Sequence, residues 1–439
     1  MFWLEFDRCT KAFRGCSLNE QMGYRFQKIT TTDYSYLQPF LAQNPNYKRL
    51  SYAECYKLYV EGCAGWHNNY SPHLPKLGYE TQDVCFNFEY LQKLWAAEHG
   101  IKYSNENWLK EILSAQINAF RPDVIFLDDL YMADNSFRQF LREVCPTPVK
   151  IVGWRASPTD DYSIFRDLDL VLTCTPYFTK QMQDHGANAK LMMHAFEPSI
   201  LKLIAPTERE FDFTFMGTLF LVDGFHQQRF ALINRLLEDT NLEVWGRVSE
   251  PRTSSPSKQL ASRLMYRGNR MLRELDAPDK LIAKLSALDE RYQRGPLTRS
   301  TLRKYPRRFH DPVIAREYFQ LLAKSKINLN NHIDCAEDYA GNIRLFEATG
   351  MGACLLTDWK INLPEMFETD VEIVTYRTAE ECVEKVNYLQ SHQKELAAIA
   401  AADQRRTLRD HTYVNRSEQL DEMLQELFLA KAQRRKEVV

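Results

Sequence analysis

The stretch that decides the fold runs from Asp334 to Trp359 and reads DCAEDYAGNIRLFEATGMGACLLTDW. Just before it, the segment 326–330 alternates polar and apolar residues, which predicts a β-strand. Asn342 predicts the start of a helix, because its side chain can serve as an N-cap. The apolar run 353–357 predicts a second, buried strand. A strand, a polar loop, a helix and a strand form half of a doubly wound α/β sheet, whose ligands bind at the loop.

The start of this helix carries residue types that suit a nucleotide. A helix N-terminus presents free N–H groups and a partial positive charge, which favours a phosphate. Arg344 in the first turn can donate two hydrogen bonds to a diphosphate, and Glu347 can accept both hydroxyls of a ribose. The alternative is a solvated pair at i, i+3 that contributes only about 0.2–0.5 kcal/mol. The surrounding loop, glycines and strands favour the nucleotide interpretation.

Two segments, GNIRLFEATGMGACLLTD (341–358) and NLPEMF (362–367), resemble a known family, the GT-B glycosyltransferases. The resemblance is to their nucleotide-sugar half, and in particular to the branch of "glycosyl transferases group 1" that is grouped with spore-maturation-type proteins. It is strong over about 211–376, apart from an insertion, and weaker over the N-terminal half. It implies an α/β protein of GT-B architecture, with two Rossmann-like domains whose parallel sheets face an interdomain cleft. It also implies a nucleoside-diphosphate sugar as co-substrate and no further cofactor.

The resemblance further implies which residues contact the donor. In such enzymes the glutamate that corresponds to Glu347 usually holds the donor ribose, and another glutamate commonly lies eight positions earlier. This sequence has Tyr339 at that earlier position, beside Glu337 and Asp338, so the contact to the sugar departs from the family pattern. The candidate donor-binding residues are Gly217, Asp338, Gly341, Asn342, Arg344 and Glu347.

Gly217 opens the second half of the chain in a way that suits a phosphate. It follows the apolar run 211–216 directly, and a glycine at the end of a first strand lets the backbone approach a ligand closely. GT-B donor domains have a similar opening, often with a nearby basic residue for the diphosphate. The first basic residue here is Arg229, so we expect Arg344 to contact the diphosphate instead.

Predicted strands and helices alternate along both halves of the chain, which favours parallel sheets with right-handed crossovers. A proline-bearing segment between 197 and 208 marks the boundary. The sequence therefore divides into an irregular leader, an N-terminal acceptor domain, a C-terminal donor domain and C-terminal helices. Their expected bounds are 1–21, 22–200, 208–392 and 393–439.

The donor domain is interrupted over 248–310 by turn-rich and strongly basic segments that flank a charged amphipathic helix at about 271–288. We interpret this region as an exposed insertion with solvated charges. The alternative is an arm that docks an anionic acceptor, such as a lipid phosphate or an acidic polymer.

The composition argues against several classes of protein. A hydrophobic content of 44% is ordinary for a globular protein, and a net charge of −2 gives no general basic field for nucleic acid. No apolar run approaches the roughly 20 residues that span a bilayer, and the first residues lack the features of a signal peptide. The 10 cysteines are irregularly spaced without a C-x-x-C pair, which argues against disulfides and structural zinc. We therefore expect a reducing, cytoplasmic environment and no transmembrane segment.

The N-terminal half offers three candidates for a catalytic base: Asp33, His73 and Asp129. Asp33 follows the first predicted strand and Asp129 follows the buried run 124–127, so both are expected at the ligand-binding edge of the sheet. His73 lies in an aromatic, polar loop of a kind that often binds polar ligands. Structural alternatives are an N-cap for Asp33 and a hydrogen-bonded role for His73. No third ligand accompanies the acids at 128 and 129, so we expect no metal site.

These observations favour a metal-independent glycosyltransferase that moves a sugar from a nucleoside-diphosphate sugar to an unidentified acceptor. The helix N-terminus and Arg344 would stabilise the departing diphosphate, as a metal ion does elsewhere. A sugar-nucleotide epimerase of the same architecture is one alternative. A degenerate, non-catalytic scaffold is another, because position 339 lacks the usual glutamate.

Overall fold

The computed structural model describes residues 23–63, 67, 69–205, 207–220, 227–246, 248–249 and 304–437. Within these ranges the chain forms two α/β domains, each built around a parallel sheet. The predicted leader, the predicted helix at 271–288 and most of the predicted insertion lie outside the described residues.

The N-terminal sheet has six parallel strands among the described residues, in the order β2-β1-β3-β4-β5-β6. They are β1 (Arg25–Thr30), β2 (Glu80–Cys85), β3 (Val124–Leu127), β4 (Lys150–Trp154), β5 (Leu170–Thr173) and β6 (Ala189–Leu191). The central strand β3 is VIFL and entirely buried, as expected of a sheet that is covered on both faces. The strand order reverses between β1 and β3, so a ligand crevice is expected beyond the carboxyl ends of these two strands.

Helices cover this sheet. They are α1 (Tyr34–Gln43), α2 (Tyr52–Gly62), α3 (Glu89–Glu98), α4 (Trp108–Phe120), α5 (Asn135–Val144), α6 (Pro176–Asp184) and the short α7 (Ile200–Leu203). Local signals define several of their starts. Ser51 and Glu54 form a capping box at α2, and the side chain of Asp134 accepts a hydrogen bond from the backbone of Phe137 at α5. The helices thus begin where their local capping residues would start them.

The C-terminal sheet also has six parallel strands in the described part of the chain, in the order β11-β9-β7-β12-β13-β14, and a small β8-β10 pair lies apart. The strands are β7 (Phe211–Met216), β8 (Leu219–Phe220), β9 (Glu243–Trp245), β10 (Val248–Ser249), β11 (Phe309–His310), β12 (Ser325–Asn330), β13 (Cys354–Asp358) and β14 (Val374–Tyr376). Here the order reverses between β7 and β12, which predicts the second ligand crevice at their carboxyl ends.

The C-terminal helices continue the alternation. They are α8 (Gln227–Asp239), α9 (Ala315–Lys324), α10 (Arg344–Gly350), the short α11 (Leu363–Met366), α12 (Ala379–Ser391), α13 (Gln393–Asp410) and α14 (Tyr413–Glu437). The deciding stretch of sequence thus forms the loop after β12, the helix α10 and the strand β13. The glycine at 352 has a φ of +69°, so the turn between α10 and β13 needs the left-handed region that favours glycine.

The prediction that Asn342 caps the helix is wrong. Helix α10 begins at Arg344, and the residue before it, Ile343, makes no side-chain cap. The side-chain amide of Asn342 instead donates to Oδ1 of Asn330 at the end of β12, over 2.6 Å. A tertiary hydrogen bond to the neighbouring strand has replaced the local one.

Helix α14 returns the chain to the N-terminal domain. Leu420 and Leu424 are fully buried in the same cluster as Phe26 of β1 and Val124 of β3. The hydroxyl of Tyr79 donates to Asp421 over 2.6 Å. The chain therefore crosses between the domains twice, once before β7 and once between α13 and α14.

Candidate active site

Two cavities meet at the cleft between the domains. The N-terminal cavity, of about 400 Å³, lies at the carboxyl ends of β1 and β3, and the C-terminal cavity, of about 370 Å³, lies at the carboxyl end of β7. Asp33 and Ile343 line both cavities, so the two spaces adjoin. Each crevice is therefore at the point where the strand order of its sheet reverses.

Two glycines form the floor of the C-terminal cavity. The backbone N–H of Gly217 donates to the carbonyl of Trp245 over 2.9 Å. A Cβ atom added at Gly246 would lie 1.9 Å from the carbonyl oxygen of Gly217, so only glycine fits there. The ends of β7 and β9 therefore present bare backbone to the cavity, which suits close approach by a phosphate.

Arg344 brings a positive charge to this cavity. Its guanidinium lies 5.7 Å from the centre of the Phe215 ring, and a Cβ at Gly217 would lie 3.6 Å from its Nη1. Its buried Nε has no hydrogen-bond partner. Such a donor, within reach of the glycine floor, is suited to an anionic group.

A second arginine, Arg229, lies close to Arg344. Its guanidinium lies 5.7 Å from the same Phe215 ring and donates to the carbonyl of Asn331 over 2.6 Å. Burial, together with the nearby charge of Arg344, lowers the pKa of Arg229 to about 10. An anion in the cavity would offset the repulsion between these two neighbouring guanidinium groups.

Glu347 faces the C-terminal cavity from α10 and is only 4% exposed. Its Oε2 accepts a hydrogen bond of 2.7 Å from the hydroxyl of Tyr318 in α9. Burial raises the pKa of Glu347, while the hydrogen bond from Tyr318 and the charge of Arg344 oppose that rise. Tyr318 uses one acceptor site of this carboxylate, which has further acceptor sites on both oxygens, so ribose binding by Glu347 stays a prediction.

The remaining donor candidates lie in the loop between β12 and α10. Asn342 has a buried side-chain oxygen without a partner. A Cβ at Gly341 would lie 2.3 Å from Cγ2 of Thr175, so this glycine allows the loop to approach the N-terminal domain. Asp338 is exposed, and its carbonyl accepts from the backbone of Ile361 over 2.9 Å. Gly341, Asn342 and Asp338 are not among the residues that line the two cavities.

Paired acids line the N-terminal cavity where β3 ends. Asp128 accepts from the hydroxyl of Thr30 over 2.6 Å, and Asp129 accepts from the hydroxyl of Thr31 over 2.9 Å. Burial is the main cause that raises the pKa of Asp128 to about 6, against the opposing charge of Lys28. Asp128 is therefore an acid that changes its charge near neutral pH.

The three predicted base candidates do not come together. Asp33 and Asp129 line the N-terminal cavity, and the backbone carbonyl of Asp33 also accepts from the N–H of Leu37 in α1 over 2.9 Å. His73 lines neither cavity, and its Nε2 is 2.7 Å from the carboxylate of Glu197 near the first interdomain crossing. This contact fits the hydrogen-bonded role, and a catalytic role for His73 stays a prediction.

Three residues at the site were missed by sequence reasoning as candidates: Arg229, Gly246 and Tyr318. Arg229 had a signal, because it is the first basic residue after Gly217. Tyr318 had none, since its contact with Glu347 joins residues 29 positions apart. Only the tertiary fold brings these groups to the cleft.

The described ranges lack a metal-ligand cluster, a membrane-spanning helix and a disulfide. Within them, no three His, Cys, Asp or Glu side chains are grouped so that they could hold a metal ion. No helix within these ranges is both long enough and apolar enough to cross a membrane. Every cysteine in the described residues is a free thiol.

Comparisons with known proteins agree with this geometry. Residues 269–422, which include Arg344 and Glu347, match a family model described as glycosyl transferase-like. No curated protein matches the chain. Among solved structures, a glycosyltransferase from Rickettsia africae ESF-5 is similar with a TM-score of 0.50 and 10% identity, over 92% of this chain and 99% of that one.

Two further solved structures are similar at slightly lower scores. HepE of Anabaena in complex with UDP and glucose has a TM-score of 0.49 and 11% identity, over 92% of this chain and 99% of that one. Sucrose-phosphate synthase from Thermosynechococcus elongatus has a TM-score of 0.48 and 11% identity, over 92% of this chain and 100% of that one. The predicted GT-B architecture and the predicted class, a glycosyltransferase, are confirmed. The spore-maturation-type branch stays a prediction.

Proposed function

We propose that this protein is a metal-independent glycosyltransferase that moves a sugar from a nucleoside-diphosphate sugar to an acceptor hydroxyl. One observation carries the proposal. Arg344 and Glu347 face a cavity with a glycine floor, and that cavity opens at Asp33 onto a second one lined with acids. A donor in the first space would thus hold its sugar beside an acceptor in the second.

Each donor residue has a separate role in this proposal. Gly217 has no side chain, so the diphosphate can approach the backbone closely there. Arg344 supplies the positive charge that binds it. Glu347 accepts a ribose hydroxyl at an acceptor site that Tyr318 leaves available. Gly341, Asn342 and Asp338 act through the position of their loop.

The chemistry needs a stabilised leaving group. The bond between the anomeric carbon and the diphosphate oxygen breaks, and the acceptor oxygen forms the new bond. Negative charge then develops on the diphosphate, where Arg344 is already oriented by the ring of Phe215. If the configuration inverts, Asp33 and Asp129 remain candidates for the base. If it is retained, the departing diphosphate oxygen can take the proton of the acceptor hydroxyl, and no protein base is required.

The proposal also covers the surroundings of the reaction. The acceptor would lie against the N-terminal domain, and the basic segments of 248–310 remain a hypothesis for docking an anionic part of it. No cofactor beyond the nucleotide sugar is needed. A cytoplasmic location, membership of the spore-maturation-type branch and the domain bounds predicted from the sequence stay part of the proposal.

Calorimetric titration with UDP, GDP, ADP and dTDP, without added metal, tests the donor site. We expect one nucleotide to bind the wild type and to bind Glu347→Ala at least about tenfold more weakly, equivalent to roughly 1.4 kcal/mol. Glu384→Ala is the matched control, since Glu384 is exposed on α12. A folded wild type that binds none of the four would favour the scaffold alternative. A donor that is converted without any acceptor would favour the epimerase.

A further inference from the structure

The N-terminal cavity differs in charge from the donor cavity beside it. Its lining includes the carboxylates of Asp33, Asp128 and Asp129, and among the described residues no lysine or arginine lines it. The donor cavity, by contrast, contains Arg344. An anionic group in the N-terminal cavity would therefore meet like charges without a facing cation, in a partly enclosed space where screening is weak.

The histidines of this cavity do not supply the missing charge. Burial first, and the charge of Lys28 second, lower the pKa of His67 to about 3. Burial first, and the charge of Arg416 second, lower the pKa of His194 to about 4. Both rings are therefore neutral at physiological pH, and they offer hydrogen bonds without a positive charge.

Lys28 and Arg416 are buried cations that lie behind the wall of the cavity without lining it, and Lys28 is already paired. Its ammonium donates to the carbonyl of His67 and to Oδ1 of Asn69, and it lies 3.8 Å from Asp83. The carboxylate of Asp83 offsets its charge, and its side chain is completely buried. Lys28 therefore fixes the wall and cannot reach a ligand.

The rest of the lining suits a sugar ring. The aromatic residues Tyr70, Phe126, Trp154 and Tyr413 contribute to the lining, and the ring of Tyr70 packs 5.4 Å from that of Tyr413, edge to face. Aromatic faces pack against the C–H face of a pyranose, while carboxylates accept its hydroxyls. A volume of about 400 Å³ is appropriate for one or two sugar rings.

We propose that the N-terminal cavity binds a neutral or amine-bearing saccharide as the acceptor and rejects sugar phosphates and uronic acids. This inference rests on the proposed function, because it assigns the acceptor class of that same cleft. Asp128 and Asp129 select by charge, and the aromatic residues of the lining select the ring. An acidic acceptor would have to keep its anionic group outside this cavity.

Four probes with the same ring test the selection: glucose, glucosamine, glucuronate and glucose 6-phosphate. Each is titrated by ligand-observed NMR into the full chain saturated with the nucleotide that it binds. We expect glucose and glucosamine to bind, and the two anions to bind at least about tenfold more weakly. Equal or tighter binding of either anion, or binding of none of the four, would overturn the inference. Nucleotide binding is measured separately, so a failed donor site is recognised independently.

The double variant Asp128→Asn/Asp129→Asn identifies the cause of the selection. It keeps the hydrogen-bonding shape and removes two charges, so the gap between glucose and glucuronate should shrink severalfold. Asp160→Asn is the matched control, because Asp160 is exposed and does not line the cavity. An unchanged gap in the double variant would contradict the inference. If that variant fails to fold, Asp33→Asn at the rim provides the same comparison.

Discussion

Glu347 works with a partner that lies on another helix. Tyr318 donates to its Oε2 over 2.7 Å, and this bond opposes the rise in pKa that burial causes. In the proposed function the ionised carboxylate accepts a ribose hydroxyl. Tyr318 therefore has two effects on the same group, because it orients the carboxylate and opposes the rise in its pKa.

Removal of this hydroxyl should weaken the nucleotide site. In Tyr318→Phe we expect nucleotide affinity at pH 7.5 to fall by about threefold to tenfold, as for the loss of one hydrogen bond to a charged group. The pKa of Glu347 should rise further, so binding should be lost at a higher pH than in the wild type as the solution is acidified. Calorimetric titrations between pH 5.5 and 8 measure both effects.

The control for this substitution is Tyr388→Phe. Tyr388 is 48% exposed, and its hydroxyl donates to Glu395 over 2.8 Å. Neither residue lines the two cavities of the cleft. Its loss should leave the affinity and its pH dependence unchanged. A Tyr318→Phe protein with weaker binding but an unshifted pH profile would show that Tyr318 orients Glu347 without affecting its ionisation.

At this scale the sequence predicts residues whose role depends on local spacing. Arg344 and Glu347 could be selected because residues that are three positions apart on a helix lie on the same face. Asp128 could be placed at a strand end, but its elevated pKa depends on burial by other elements. Tyr318 and Gly246 act through distant parts of the chain, and no local pattern marks them.

Among the elements, the loop between β12 and α10 joins the two domains at the site. Gly341 lies so close to the end of β5 that an added Cβ would meet Cγ2 of Thr175 at 2.3 Å and the carbonyl of Cys174 at 2.9 Å. The sequence suggested that this glycine contacts the donor. The structure adds a packing role, which the sequence could not reveal because the neighbour is in the other domain.

Gly341→Ala should therefore separate the loop from the N-terminal domain. We expect a lower melting temperature, equivalent to about 1–3 kcal/mol as for overpacking elsewhere, together with reduced transfer activity. Thermal unfolding and a donor-consumption assay measure the two effects. Thr175→Ser removes the nearest methyl and keeps the hydroxyl that caps α6.

The double variant Gly341→Ala/Thr175→Ser should recover part of the lost stability. Recovery would be incomplete, because the carbonyl of Cys174 stays in place. If Gly341→Ala has the stability and activity of the wild type, the loop does not need this close approach. The failed N-cap prediction for Asn342 has the same origin, since its amide found a strand partner that local sequence could not indicate.

For the whole molecule, alternation of strands and helices was sufficient to predict two parallel sheets. It could not predict which domain would receive α14, because an amphipathic helix fits any apolar surface of the right shape. Leu424 is fully buried with Phe26 and Val124, so α14 belongs to the core of the N-terminal domain.

Leu424→Ala should therefore destabilise the N-terminal domain, by about 2–5 kcal/mol as for other large cavities. Amide hydrogen exchange should accelerate in β1 and β3 more than in β12 and β13. Leu429→Ala is the control, because Leu429 is 64% exposed and should change stability by less than about 0.5 kcal/mol. Equal acceleration in both sheets would indicate that the domains unfold as one unit.

The return of α14 to the N-terminal domain has a consequence for folding during synthesis on the ribosome. A ribosome makes the strands of the first sheet, then the whole second sheet, and only then the residues around Leu420 and Leu424 that complete the first core. The apolar surface of the N-terminal domain that α14 covers therefore stays exposed while the C-terminal domain is synthesised. Nascent chains of this protein should therefore need protection from aggregation during synthesis more than chains whose domains close one after the other.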